Sequence, residues 1–180
     1  MSSPRQIYFY LKNYFDQKNL VKKKNFKALV TTGPTKEYLD PVRYISNESS
    51  GKQGYEVALA LKKLGIKTKL IAGPSNLISS KDLKIKKIIS AKEMMSEVKK
   101  SLPVDIAVCA AAVSDFKPIN KNKNKIKKNT PNIDSIRLEK NPDILDYLSK
   151  NNETRPKIVI GFSAETENLI QNSKNKIKEK

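Results

Sequence analysis

Lys27-Ala28-Leu29-Val30-Thr31-Thr32-Gly33-Pro34-Thr35 is an apolar run that stops at a Gly-Pro pair. A strand buried on both faces of a parallel sheet reads this way, since it needs apolar side chains on either side of its pleat and a tight exit. Downstream, Asp40-Pro41-Val42-Arg43-Tyr44-Ile45-Ser46-Asn47-Glu48-Ser49-Ser50-Gly51-Lys52-Gln53-Gly54 interrupts the pattern with polar and small groups. The spacing of Val57, Ala58, Leu61 and Leu64 then predicts a helix over Tyr55 to Leu64, ended by Gly65, and Lys67 to Ala72 reads as the next strand. A polar loop feeding a helix N-terminus presents N–H donors and a positive dipole end, which suits an anionic ligand.

Working outward, Pro4 to Gln17 carries Ile7, Tyr8, Leu11, Tyr14 and Phe15 at helical spacing, with Ser3 as N-cap and Pro4 as first helical residue. This amphipathic helix and a Lys-rich connector make up residues 1–26, ahead of a main domain over 27–180. Gly73 to Asn76 is a turn, Leu83 to Ile89 an edge strand, and Ala91 to Leu102 a helix. Val104 to Val113 is the most apolar run and reads as a central strand. Lys117 to Asn132 is a long polar segment, a functional flap or a disordered loop, followed by a short strand over Ile133 to Leu138. Asn141 as N-cap and Pro142 as first residue open a helix over Ile144 to Lys150. Lys157 to Phe162 is a last strand before a polar helix to Lys180. The alternation predicts an α/β, Rossmann-like, mainly parallel sheet with helices on both faces. Ligands in such sheets sit beyond the strands' carboxyl ends, where Gly33-Pro34-Thr35, Val113-Ser114-Asp115 and Gly161-Phe162-Ser163 all fall.

Composition removes several function classes. The chain of 180 residues holds no His, which excludes His-based acid–base catalysis and His metal sites. Its single Cys109 cannot form an intrachain disulfide, and no apolar run reaches membrane-spanning length, so a soluble cytoplasmic protein is expected. The net charge of +18 is carried mostly by Lys, with Arg only at 5, 43, 137 and 155. Lys spread among Asn and Ile reads as a solvated surface, so no nucleic-acid partner and no membrane partner is expected.

Ser49-Ser50-Gly51-Lys52 fails the phosphate-binding P-loop pattern, because Ser46 and Gln53 stand where Gly and Ser or Thr are needed. The dinucleotide fingerprint fails at Gly33-Pro34-Thr35, which disfavours a nicotinamide-dependent oxidoreductase. Gly51 and Gly54 serve either tight packing or a ligand. Lys125-Ile126-Lys127-Lys128 is either solvated loop or a flap whose Lys meets phosphates, and Asp115 caps a turn or accepts a ribose hydroxyl. Cys109 reads as a small core residue.

The Asp40 to Gly54 stretch, Gly33-Pro34-Thr35, Ala111 to Asp115, Lys125 to Lys128, Lys140-Asn141-Pro142-Asp143 and Gly161 to Thr166 together closely resemble bacterial phosphopantothenoylcysteine synthetase. That phosphopantothenate–cysteine ligase is usually the C-terminal domain of a bifunctional coenzyme A biosynthesis protein. The resemblance implies that CTP activates the carboxylate of 4′-phosphopantothenate as an acyl-cytidylate, with Mg2+ accompanying the triphosphate, and that cysteine then displaces CMP. It assigns Asn47 to the acyl-cytidylate, Lys125 to the flap, and Arg43 to binding substrate or ordering the loop. It assigns Cys109, Ala110, Ala111, Asp115, Lys125, Glu139, Lys140, Asn141, Pro142, Phe162, Lys176 and Lys180 to CTP, leaves metal ligands unknown, and implies a homodimer without flavin.

Two departures stand out. Ser163 replaces a usual Ala, and the chain stops where the family continues with a strand bearing an Asn-Asp-Val motif, so a truncated chain is expected. The alternative reading is a non-catalytic nucleotide- or nucleic-acid-binding module.

Overall fold

The computed structural model describes residues 3–17, 25–76, 83–127, 135–150, 153–164 and 166–179. β1 (Lys27–Thr32) occupies the middle of a parallel sheet whose other strands are β4 (Lys67–Ala72), β5 (Lys84–Lys87), β6 (Ile106–Cys109) and β9 (Ile158–Gly161). The spatial order is β5-β4-β1-β6-β9. The chain therefore steps outward from β1 to one edge, then returns to β6 on β1's other side. This reversal opens a crevice beyond the carboxyl ends of β1 and β6, the position where open α/β sheets bind ligands.

Successive side chains on each interior strand enter opposite layers, as a period of two requires. Ala28, Val30, Leu70, Ile106 and Val108 join one apolar cluster, while Leu29, Ile71 and Ala107 join the other. The first layer is covered by α1 (Pro4–Gln17) and α2 (Lys52–Lys63), through Ile7, Leu11, Val57 and Leu61. The second is covered by α3 (Ala91–Ser101) and α4 (Ile144–Ser149), through Met94, Val98, Ile144 and Leu148. The stripe on α1 thus packs into the domain core.

Two small antiparallel sheets lie beyond the strand ends: β2 (Glu37–Tyr38) with β3 (Tyr44–Ile45), and β7 (Phe116–Pro118) with β8 (Leu138–Lys140). β2 and β7 touch. The first sheet is anchored by Glu37, whose buried carboxylate accepts the Ala91 N–H at the start of α3 at 2.8 Å. Ser90 and Glu93 complete that helix start, with Ser90 Oγ accepting from Glu93 N and Glu93 Oε2 from Ile89 N. α5 (Leu169–Glu179) closes the described chain.

Several boundaries differ from the sequence reading. α2 begins at Lys52, because Gly51 turns the chain at φ 72° and Gly54 lets the first turn lie against β1. A Cβ at Gly54 would stand 2.5 Å from Thr32 Oγ1 and 2.9 Å from the Thr31 carbonyl. Gly51 thus serves the turn and Gly54 the packing. β6 is shorter than expected, since beyond Cys109 only a single parallel bridge, Pro34 with Ala112, continues the ladder. Strand pairing near residue 138 falls on Leu138–Lys140, opposite Phe116–Pro118, so 135–137 are not a strand. Asp143, not Asn141, caps α4, its side chain accepting from Asp146 N at 2.9 Å. Lys128, Ile133, Glu165 and Lys180 lie outside the described residues.

Candidate active site

The crevice is built where β1 and β6 hand over to loops. Ala110 N donates to Thr31 O and Ala112 N to Gly33 O, so the small-residue segment after β6 runs alongside the Gly-Pro exit of β1. Buried Thr35 then accepts the Ser114 N–H on Oγ1 at 3.0 Å, and its carbonyl accepts from Ser46 Oγ at 2.7 Å. Thr35 therefore ties the segment after β6 to the loop that carries Asn47. Asn47 itself donates Nδ2 to the Val113 carbonyl at 2.9 Å. It also lines an open cleft of about 1010 Å³ on the other side, together with Lys36, Ser49, Ser50, Lys52 and Tyr55. Asn47 thus stands at the seam between that cleft and the segment 109–115. Lys52, the first residue of α2, lines the cleft, whose charged side chains are Lys36 and Lys52 with Glu48 and Glu56.

Asn141 joins the same assembly from the far side. Its backbone N–H donates to Asp115 O and its Nδ2 to Ser114 O, each at 2.8 Å. Its Oδ1 is buried without a partner among the described residues. A buried acceptor left unpaired is costly, and a ligand donor such as an exocyclic amine or a ribose hydroxyl would satisfy it. Asp115 is exposed beside it, and Glu139 pairs with Lys117 at 3.2 Å across β7 and β8. Glu139 and Lys140 lie on β8, with Asn141 and Pro142 directly after it. Residues 109–115 and 139–142 are therefore brought together.

Phe162 directly follows Gly161, which pairs with Cys109 across β6 and β9, and Lys176 lies on α5. They line a cavity of about 670 Å³ with Leu145 and Arg155, between β9, α4 and α5. Cys109, expected as a small core residue, ends the interior strand β6 half buried and packs against the second apolar cluster.

Asp40 was not singled out in the sequence, yet it is the most heavily bonded side chain of the site. Oδ1 accepts from Val42 N and Arg43 N at 2.8 Å each. Oδ2 accepts from Arg43 Nε at 3.0 Å and from Ile126 N at 3.1 Å, and it pairs with the Arg43 charge, Nη2 lying 2.9 Å away. Arg43 Nη2 also donates to the Ile126 carbonyl. Burial alone would raise this carboxyl, but the three backbone N–H groups and the Arg43 charge outweigh it, lowering its pKa from 3.8 to about 2. Asp-Pro-X-Arg has the spacing of an Asx turn, the one signal in the sequence for this residue. Lys125, next to Ile126, is solvent-exposed. Of the two roles open to Arg43, its contacts are those of a residue that orders the loop.

An open α/β sheet, with a cleft and an amide beside its topological switch point, defines a Rossmann-like domain of the class that binds ligands at that place. Residues 23–180 match the family model described as the DNA/pantothenate metabolism flavoprotein C-terminal domain, and the chain belongs to that family. It is 40% identical over 181 residues to the coenzyme A biosynthesis bifunctional protein CoaBC of Haemophilus influenzae, covering 100% of this chain and 44% of that one. It is 44% identical over 170 residues to the protein of the same name from Borreliella burgdorferi, covering 93% and 43%. Among solved structures, the C-terminal domain of a CoaBC protein superposes with a TM-score of 0.74 at 32% identity, over 87% of this chain and 73% of that chain. The chain thus spans less than half the length of these curated relatives. Among the described residues no helix is long and apolar enough to cross a membrane, and no group of three or more His, Cys, Asp or Glu could hold a metal ion.

Proposed function

We propose that this chain carries a phosphopantothenate–cysteine ligase site that works through an acyl-cytidylate. The observation that carries the reading is the position of Asn47, between the open cleft and the small-residue segment after β6. A two-substrate acyl transfer needs that arrangement, with the carboxylate presented from one side and the nucleotide's α-phosphate from the other. Phosphopantothenate takes the cleft, where Lys36 and Lys52 meet its phosphate beside Glu48 and Glu56. CTP takes the segment 109–115 with 139–142, where Ala110 and Ala111 admit it against the backbone and Asn141 Oδ1 accepts one of its donors.

In the first step the carboxylate oxygen attacks the α-phosphorus, the bond to the β-phosphate breaks, and pyrophosphate leaves. The cysteine amine then attacks the acyl carbon, loses a proton, and CMP departs. The Asn47 amide N–H is suited to the oxyanion of the second step, and the Lys125 ammonium to the charge on the phosphates in the first. Magnesium would travel with the triphosphate as part of the substrate, since the described residues form no carboxylate cluster for a resident ion. The cytoplasm is the compartment that fits such chemistry.

The test is incubation with phosphopantothenate, CTP and magnesium, following pyrophosphate with and without cysteine. Pyrophosphate should form without cysteine and the amide only with it. A folded sample that releases no CTP-dependent pyrophosphate and instead binds RNA tightly in a salt-sensitive way would sink the ligase reading. Equal turnover with ATP would remove the preference for CTP.

A further inference from the structure

We propose that Asp40 is a positioning residue that sets Lys125 for the nucleotide step by holding both the turn that leads to Asn47 and the backbone of Ile126. The inference rests on the ligase reading for the role of Lys125 and deepens it.

The two carboxylate oxygens have separate duties. Oδ1 serves its own turn, accepting among the described residues from Val42 and Arg43. Oδ2 reaches 86 residues along the chain to the N–H of Ile126. Arg43, fixed by the same Oδ2, takes the Ile126 carbonyl, so both backbone groups of that residue are held. A second tether runs from Asn122 N to Leu39 O at 2.8 Å, and Lys121 lies over the Tyr38 ring at 5.1 Å. The segment carrying Lys125 therefore rests on the β2–β3 turn at several points, and Asp40 sits at its far end. The side chain of Asp40 is fully buried, which makes these bonds strong and their loss costly. A local turn needs only Oδ1. The use of Oδ2 on Ile126 is what a coupling between Asn47's loop and Lys125's segment requires.

Asp40→Asn separates the duties. The amide oxygen can still accept from Val42 and Arg43, while the NH2 group faces the Ile126 N–H and the guanidinium, donor against donor. In the full chain, with folding confirmed by its melting transition, trypsin should cut the Lys125–Ile126 bond about tenfold faster in Asp40→Asn than in wild type, while cutting after Lys63 in α2 is unchanged. Pyrophosphate release should fall about tenfold in Asp40→Asn and not fall further when Asp40→Asn is added to Lys125→Gln. Ile126→Pro deletes the N–H that Oδ2 accepts while leaving the Asp40–Arg43 pair whole, and should reproduce the loss of pyrophosphate release. Cutting at 125–126 that rises no more than cutting after Lys63 overturns the holding role, and effects of Asp40→Asn and Lys125→Gln that multiply overturn the action through Lys125. A wild-type chain that releases no pyrophosphate overturns the ligase reading and the catalytic half of this one, and trypsin still decides whether Asp40 holds the segment.

Discussion

Three side chains divide the proposed chemistry. Asn47→Ala should abolish amide formation while sparing CTP-dependent pyrophosphate release, with the second step falling at least about a hundredfold, the usual scale for losing one oxyanion donor. Equal loss of both steps would remove Asn47 from its role. Lys125→Gln should raise the apparent KM for CTP and slow pyrophosphate release, and an unchanged KM would count against placing its charge on the phosphates. Asp40 makes a prediction about pH. Its folded pKa of about 2 lies below the ordinary 3.8, so the unfolded chain binds more protons between these values. The stabilisation is complete above about pH 4 and lost as pH falls towards 2, so wild type should lose stability relative to Asp40→Asn over that window in acid denaturation. Parallel acid profiles for the two proteins would contradict it. Local pattern marked the polar loop that carries Asn47 but left Lys125 as solvated loop or flap, and the roles proposed for both come from the family resemblance. Asp40 was legible only as an Asx turn, because nothing in a local window reports a partner 86 residues away.

At the scale of elements, α2 decides how the proposed acyl-transfer loop meets the sheet. Its first turn lies on β1 because Gly54 has no side chain, and Thr32 Oγ1 donates to the Gly51 carbonyl at 2.5 Å to fix the approach. A methyl at position 54 meets Thr31 backbone as well as a side chain, so the helix itself must shift. Gly54→Ala should cost about 1–3 kcal/mol in denaturant unfolding, as overpacking does, and impair pyrophosphate release by tilting the loop. A stability within about 0.5 kcal/mol of wild type would show that α2 can slide freely. Strands and helices were readable here because the interior strands are apolar on both faces and each covering helix keeps one apolar stripe. Ends were harder. Asn141 looked like a cap, but Asp143 stands closer to the first turn of α4 and takes that duty, which frees Asn141 to bind Ser114 and Asp115.

For the whole molecule, the two small sheets carry exposed apolar side chains, Val42, Tyr44, Phe116, Ile119, Ile136 and Leu138. Such a set beside the proposed site suits self-association, and we propose a homodimer for the intact domain. Light scattering should give twice the chain mass at micromolar concentration, and Phe116→Lys should shift it to the monomer. A wild-type monomer at all concentrations would refute the proposal. The charge of +18 remains a property of the surface, with Lys62, Lys63, Lys84 and Lys86 exposed on α2 and β5 away from the crevice.

Local pattern alone determined the main sheet of this protein, since a parallel sheet with helices on both faces follows from continuous apolar runs alternating with amphipathic ones. It also marked the polar loop as the candidate place for chemistry. Tertiary structure decided which groups meet there: Asn47 with Val113, Asn141 with Ser114, and Asp40 with Ile126. Each of those contacts is a single hydrogen bond between distant positions, and a single hydrogen bond leaves no period or composition in the sequence for a local reading to find.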